Sequence, residues 1–452
     1  MMRRYPAYRD SGVDWLGEVP DGWEVRPFRQ LISRIESGTS VNAVDAPALD
    51  GEIAVLKTSC VYAGAFDPNE NKVVVPDEID RVACPLRPDS LIVSRMNTPD
   101  LVGAAGHVTE ALPNIFLPDR LWQITFKGLM TRFAYFFTLS PLYRDQVRIA
   151  CAGTSSSMQN LAQDDFKSFL TPLPPLTEQT AIAAFLDRET GKIDALVAEQ
   201  RRLIELLREK RQATISHAVT RGLNPAAPLK PSGVDWLGDV PEGWAVVRLR
   251  NVIKAIESGT SVNAIDVPAS ESELGVLKTS AVYTGRFDPR ENKAIVPAEY
   301  DRVTCPVAQG ALIVSRMNTP DLVGAAGYVV EAPHNIYLPD RLWQVSFHNA
   351  NAQFVHLWTQ SNFYRDQVRM ACAGTSSSMQ NLAQDDFKSF VFALPPMNEQ
   401  DAIIAATHSF DSQFDSLITT AESAISLLLE RRAALISAAV TGKIDVREAE
   451  AA

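Results

Sequence analysis

Two textures alternate along the chain. Over roughly the first 170 residues the apolar positions come in short runs, such as Val73-Val74-Val75, Leu91-Ile92-Val93 and Leu121-Trp122-Gln123-Ile124, broken by Pro, Gly, Asn and Asp. That is strand-and-turn spacing, and it predicts a mixed α/β or α+β domain. After Leu173-Pro174-Pro175 no proline occurs until Pro225, and the apolar positions take helical spacing. The same change occurs after Leu394-Pro395-Pro396, beyond which there is no further proline. Thr177 with Gln179, and Asn398 with Gln400, supply helix starts just past the prolines.

A heptad frame fits both long stretches. In the second, Ile418 and Ile425 fall at position a, with Phe414, Ala421, Leu428 and Leu435 at d. In the first, Val197 and Ile204 fall at a, with Ile193 and Leu207 at d. The seam is imperfect, since Asp411, Arg211 and Arg432 occupy a and Gln200 occupies d. Each helix would run ~65 Å at 1.5 Å per residue, and an apolar stripe of that length needs a partner. The alternative is packing of each helix on its own domain.

The chain is one unit written twice. Ser11 to Gly17 returns at Ser232 to Gly238, Ile92 to Gly106 at Ile313 to Gly327, and Ala150 to Phe169 at Ala371 to Phe390, each shifted by 221. A period this long is a domain plus helix, not a solenoid repeat. Two copies in one chain predict an internal two-fold arrangement with the helices antiparallel. The division expected is a first domain over 1–175, a helix over 176–221, a linker over 222–231 rich in turn residues, a second domain over 232–396, a helix over 397–441 and a tail over 442–452.

The 452 residues are 46% hydrophobic and 21% charged, the balance of a globular protein. No stretch approaches the ~20 apolar residues of a membrane span, and no apolar segment follows the basic residues at the start. A cytoplasmic location is expected. The five cysteines form no C-x-x-C pair and have no histidines at zinc spacing, so neither a disulfide framework nor a metal is expected. The net charge of -11 opposes unaided binding to nucleic acid unless partners bring positive charge.

Candidate contact residues lie in polar turns present in both copies. Ser94, Arg95, Asn97 and Thr98, with Ser315, Arg316, Asn318 and Thr319, join hydroxyls to an Arg and an Asn suited to bases or phosphates, or else form a structural turn. Thr154, Ser155, Ser156, Gln159 and Asn160, with Thr375, Ser376, Ser377, Gln380 and Asn381, form a small polar loop able to mould to phosphate. Ser37, Thr39, Ser40, Asn42 and Lys57, with Ser258, Thr260, Ser261, Asn263 and Lys278, give a weaker signal. Arg120 and Arg341 fit either a contact or a structural role. Trp15, Trp23, Trp122 and their counterparts read as packing residues.

Catalytic motifs fail. Asn97-Thr98-Pro99-Asp100 shares the opening of an amino-methyltransferase tetrad but lacks its second proline and aromatic, and no P-loop occurs. Glu70-Asn71-Lys72 has nuclease E-x-K spacing with Asp50 upstream, but the matching position in the second copy is Glu271. A solvated charge pair is the better account.

The phrases Ser11 to Trp23 and Ser232 to Trp244, with Leu173 to Gln179 and Leu394 to Gln400, resemble the specificity subunits of type I restriction-modification systems over essentially the whole chain. The resemblance implies a non-catalytic subunit without cofactor whose two target recognition domains read a split target on double-stranded DNA. Its helices would pair as an antiparallel coiled coil. It further implies docking onto methyltransferase subunits, two in number, and onto motor-nuclease subunits. Near-identity of the copies adds the expectation of an inverted-repeat target. The alternatives are a sequence-indifferent DNA-binding scaffold and a nuclease.

Overall fold

A computed structural model describes residues 3–110, 112–152, 157–373 and 378–447. It divides into two compact units, one of residues 1–201 with 422–452 and the other of residues 202–421. Both are α+β, and both contain part of each long helix, Leu176–Arg221 and Met397–Val440.

In the first unit, an antiparallel sheet orders its strands Ala105–Val108, Ser90–Ser94, Leu121–Phe126 and Ile32–Ser37. The apolar runs of the sequence are its central strands, and Leu91, Val93 and Ile124 are buried. The helices Thr131–Thr138 and Pro141–Ala150 share a core with this sheet, Trp23, Phe28, Phe133, Tyr143 and Phe166 among it. A second sheet runs Ile115–Phe116, Ala54–Leu56, Asn71–Val74 and Ala43–Val44, its first pair parallel, over a separate small core that includes Leu56, Cys60 and Ile92. The second unit repeats both sheets in the same strand order, shifted by 221.

Gln179 explains the Pro-Pro-x-x-Glu-Gln phrase. Buried at the first turn of the long helix, its side chain accepts from the Met130 amide at 2.7 Å and donates to the Pro174 carbonyl at 2.9 Å, fixing the helix to the domain. Gln400 does the same with Asn351 and Pro395, both at 2.8 Å.

Within each unit the two helical segments run antiparallel. In the first, Ile182 and Leu186 from the start of one helix share a core with Ile436 and Val440 from the end of the other, and Arg432 grips Asp194 with bonds of 2.8 and 3.2 Å. In the second, Arg211 bonds Asp411 at 2.9 Å and Asp415 at 2.8 Å, while Ile215 and Val219 join Ile403 and Ile404 in the core. The charged residues that break the heptad pattern are therefore partners across the seam, a use of polar a positions that fixes register. Ile193, Val197, Ile204 and Ala421 are buried as the frame requires.

Part of the expected linker is ordered, since Leu229–Pro231 pairs as a strand with Asp239–Pro241. The segment after the second helix packs too, with Val446 in the first unit's core and the Asp445 amide donating to the Arg3 carbonyl at 2.8 Å. Trp23, Trp122, Trp244 and Trp343 are packing residues as expected. Trp15 and Trp236 are only partly so: they stand 42% and 40% exposed, with the Trp236 ring 6.0 Å from that of Phe363.

His356 gives the second unit a pH dependence. Burial pushes its imidazole below the usual pKa, against the opposing pull of the Gly285 carbonyl and Asp411, with His408 adding a small push downward. A base with a depressed folded pKa holds fewer protons folded than unfolded, so stability is full above the unfolded value of about 6.5 and declines as pH falls below it. Thermal melts between about pH 7 and pH 5 should show this loss, and His356→Tyr, which installs the residue type of the equivalent Tyr135, should flatten the profile.

Candidate nucleic-acid interface

The structure joins segments that the sequence keeps apart. Gln159–Asn160 pairs antiparallel with Met96–Asn97, and the Leu161 amide donates to the Arg95 carbonyl at 2.8 Å. The Arg95 amide in turn donates to the Arg120 carbonyl at 3.0 Å. Beside Arg120, the Ser37 hydroxyl donates to the Asp119 carbonyl at 3.1 Å, and the Gly38 amide to the Pro118 carbonyl at 3.2 Å. One continuous band of loops results, carrying exposed Ser37, Thr39, Ser40, Asn42, Thr98, Arg120 and Asn160, with Arg95 and Gln159 half-buried. The second unit builds the same band: Gln380–Asn381 pairs with Met317–Asn318, Arg316 bonds Arg341 at 3.1 Å, and Leu382 bonds Arg316 at 2.8 Å.

The four arginines of these bands, Arg95, Arg120, Arg316 and Arg341, form no ion pair among the described residues. Elsewhere arginines are often paired, as in Arg81 with Glu78 or Arg302 with Glu299. Arg316 even leaves its buried Nε without a partner. In a chain of net charge -11, unpaired guanidinium groups repeated on equivalent loops make local sites for anions or for guanine edges.

Several sequence candidates are corrected. Ser94 and Asn97 are only 0% and 6% exposed, and their polar groups are used internally. The Asn97 amide donates to the Tyr62 hydroxyl at 2.7 Å and the Ser94 hydroxyl at 3.1 Å, while its carbonyl oxygen accepts from the Thr98 amide at 2.9 Å. Ser315 and Asn318 repeat this around Tyr283. These four shape the turn that presents Arg95 or Arg316. Tyr62 and Tyr283 escaped the sequence reading because only a non-local contact reveals them.

Lys57 and Lys278 are half-buried and committed to Asp45 at 3.1 Å and Asp266 at 3.3 Å. Each aspartate is held below the usual carboxylate range, first by its hydrogen bond from that lysine. Thr39 and Thr260 donate to the carbonyls of Arg81 and Arg302, and Asn42 and Asn263 to Glu78 and Glu299. Thr154, Ser155, Ser156, Thr375, Ser376 and Ser377 lie outside the described residues.

The nuclease-like triplet is accounted for by ordinary bonds. Glu70 accepts from Ser59, Lys72 pairs with Asp45 at 3.4 Å, and Asn71 between them is buried. Among the described residues no three His, Cys, Asp or Glu side chains come together as metal ligands. No disulfide joins the described cysteines, and burial pushes Cys84 up to about 11. No helix among the described residues is long and apolar enough to cross a membrane.

Residues 20–206 match the family described as the Type I restriction modification DNA specificity domain. Over 446 residues the chain is 23% identical to the Type I restriction enzyme EcoKI specificity subunit of Escherichia coli K12, covering 95% of this chain and 90% of that protein. The chain is similar to the type I specificity subunits over nearly its whole length. Its fold is that of solved members: a structure from work on complex assembly and conformational transition of the type I R-M system aligns with TM-score 0.68 at 15% identity, covering 93% of this chain and 98% of the other. The HsdS subunit of Thermoanaerobacter tengcongensis aligns at TM-score 0.51 and 16% identity, over 94% and 98% of the two chains. A specificity subunit is the non-catalytic, DNA-recognising member of an assembly with methyltransferase and restriction subunits.

Proposed function

We propose that this specificity subunit reads a bipartite DNA target, one half-site by each recognition domain, 1–175 and 232–396. Two methyltransferase subunits dock on it to modify adenine, with motor-nuclease subunits added for cleavage, in the cytoplasm. The helices over 176–221 and 397–441 act as the ruler between half-sites, with 222–231 as linker and 442–452 as tail. The reading is carried by one observation: unpaired Arg95 and Arg120, and unpaired Arg316 and Arg341, stand on equivalent loops of the two units.

Arg95 and Arg316 are assigned to bases, with Gln159, Asn160, Gln380 and Asn381 beside them, since Arg matches guanine and Asn or Gln matches adenine in the major groove. Ser37, Thr39, Ser40, Asn42 and Thr98, with Ser258, Thr260, Ser261, Asn263 and Thr319, are assigned to phosphates that set register. Lys57 and Lys278 could join them only by leaving their aspartates.

Every described residue of the band is the same in both copies, from Ser37 to Asn42, Ser94 to Asp100, Pro118 to Gln123 and Met158 to Leu161. Equal readers favour equal half-sites, hence an interrupted inverted repeat. Methylome sequencing of a host carrying this chain and its methyltransferase partner should show methyladenine on both strands within a gapped inverted repeat. An asymmetric gapped motif would overturn the symmetry alone, and methylation without a motif would overturn sequence reading altogether.

A further inference from the structure

The copies keep the reading band and diverge where each recognition domain meets the long helices. Ala65, Arg132, Tyr135, Asp187 and Thr190 become Arg286, Gln353, His356, His408 and Asp411. In the first unit Arg132 reaches Asp187 on the long helix and lies 4.7 Å over the Tyr135 ring. The second unit has lost that pair and gained another. Arg286, on the loop after the short helical turn Thr279–Val282, donates to Asp415 of the second long helix at 2.9 Å. Asp415 also accepts from Arg211 of the first long helix, which holds Asp411 as well. The loop itself is pinned beneath, since the Gly285 carbonyl faces His356 Nε2 at 2.7 Å and accepts from Gln360 at 3.1 Å.

Exposure decides what this latch does. Arg286 is 60% and Asp415 45% exposed, and an ion pair so wet adds little to stability. What it does supply is direction, because one guanidinium ties the domain's loop to both helices through a shared carboxylate. Asp415 is accordingly held below the usual carboxylate range, first by Arg286 and then by the charge of Arg211.

We propose that Arg286 is a positioning residue that fixes the orientation of the second recognition domain on its helices and so enforces the gap between half-sites. This rests on the bipartite reading above. One base pair added to the gap moves a half-site about 3.4 Å and turns it by roughly a tenth of a helical turn, so a domain free to rock by a few ångströms accepts the wrong gap.

The test uses the full chain with its methyltransferase partner, on duplexes with the native gap and with one base pair added or removed. Arg286→Ala should reduce discrimination against the altered gaps about threefold, leave affinity for the native gap within about twofold, and not move the melting of the second unit. Arg286→Lys, which keeps a cation beside Asp415, should restore discrimination. Unchanged discrimination in Arg286→Ala overturns the latch while leaving the bipartite reading intact, as does a fall in melting temperature that accounts for the loss. A native chain indifferent to target sequence overturns the bipartite reading, and the latch with it.

Discussion

Replacing Arg95 and Arg316 together with alanine removes target-specific binding and leaves the fold standing. Each guanidinium lacks a carboxylate partner among the described residues, so truncation breaks no ion pair, and melting should stay within about 0.5 kcal/mol of native for partly exposed positions. A bidentate contact with guanine is worth about 1–3 kcal/mol, so losing two should weaken specific affinity roughly 30-fold or more. Titrations at several salt concentrations, on duplexes with and without the target, tell base from phosphate contacts. Loss confined to the target marks base reading, whereas equal weakening of both duplexes with a salt slope lower by about 2 marks phosphate contacts. Specific affinity within twofold of native would remove these residues from the interface.

The second large effect comes from the smallest side chain in the band. A Cβ added to Gly38 would sit 1.6 Å from the Leu117 carbonyl oxygen and 2.4 Å from its carbon, and Gly259 meets Leu338 at the same two distances. Both obstacles are backbone, so no rotamer change relieves them. The loop bearing Ser37 and Thr39 must then part from the strand that leads to Arg120. Gly38→Ala should cost about 3 kcal/mol, at or beyond the upper end for overpacking, and should depress DNA binding with it. Gly191→Ala is the contrast: this helical glycine has nothing within 4 Å of the added carbon, and alanine should stabilise the first unit by roughly 0.5–1 kcal/mol. Calorimetric melts that found the two substitutions equal would refute the close approach.

Elements set by neighbours in sequence are legible in it, and those set by distant partners are not. The helices start at Leu176 and Met397, where proline stops and a capping glutamine follows, because helix boundaries are set by neighbours in sequence. Arg211, Arg432 and Asp411 looked like faults in a heptad, since their partners lie on the other helix and no single-helix pattern shows them. Ser94 and Asn97 look like contacts in the sequence for the same reason: the Tyr62 hydroxyl that claims Asn97 lies 35 residues earlier, at the end of the short helical turn Thr58–Val61. Arg120 gained weight only when strand pairing brought it beside Arg95. Composition names the residue types a surface needs, and tertiary pairing decides which of them face outward.

The packing of Ile436, Ala439, Val440 and Val446 into the first unit's core bears on the order of events at the ribosome. Residues 202–421 are one uninterrupted stretch and can close as soon as they emerge. The earlier-born domain must wait with an open hydrophobic edge until residues beyond 436 arrive to fill it, so the portion translated first is the one completed last.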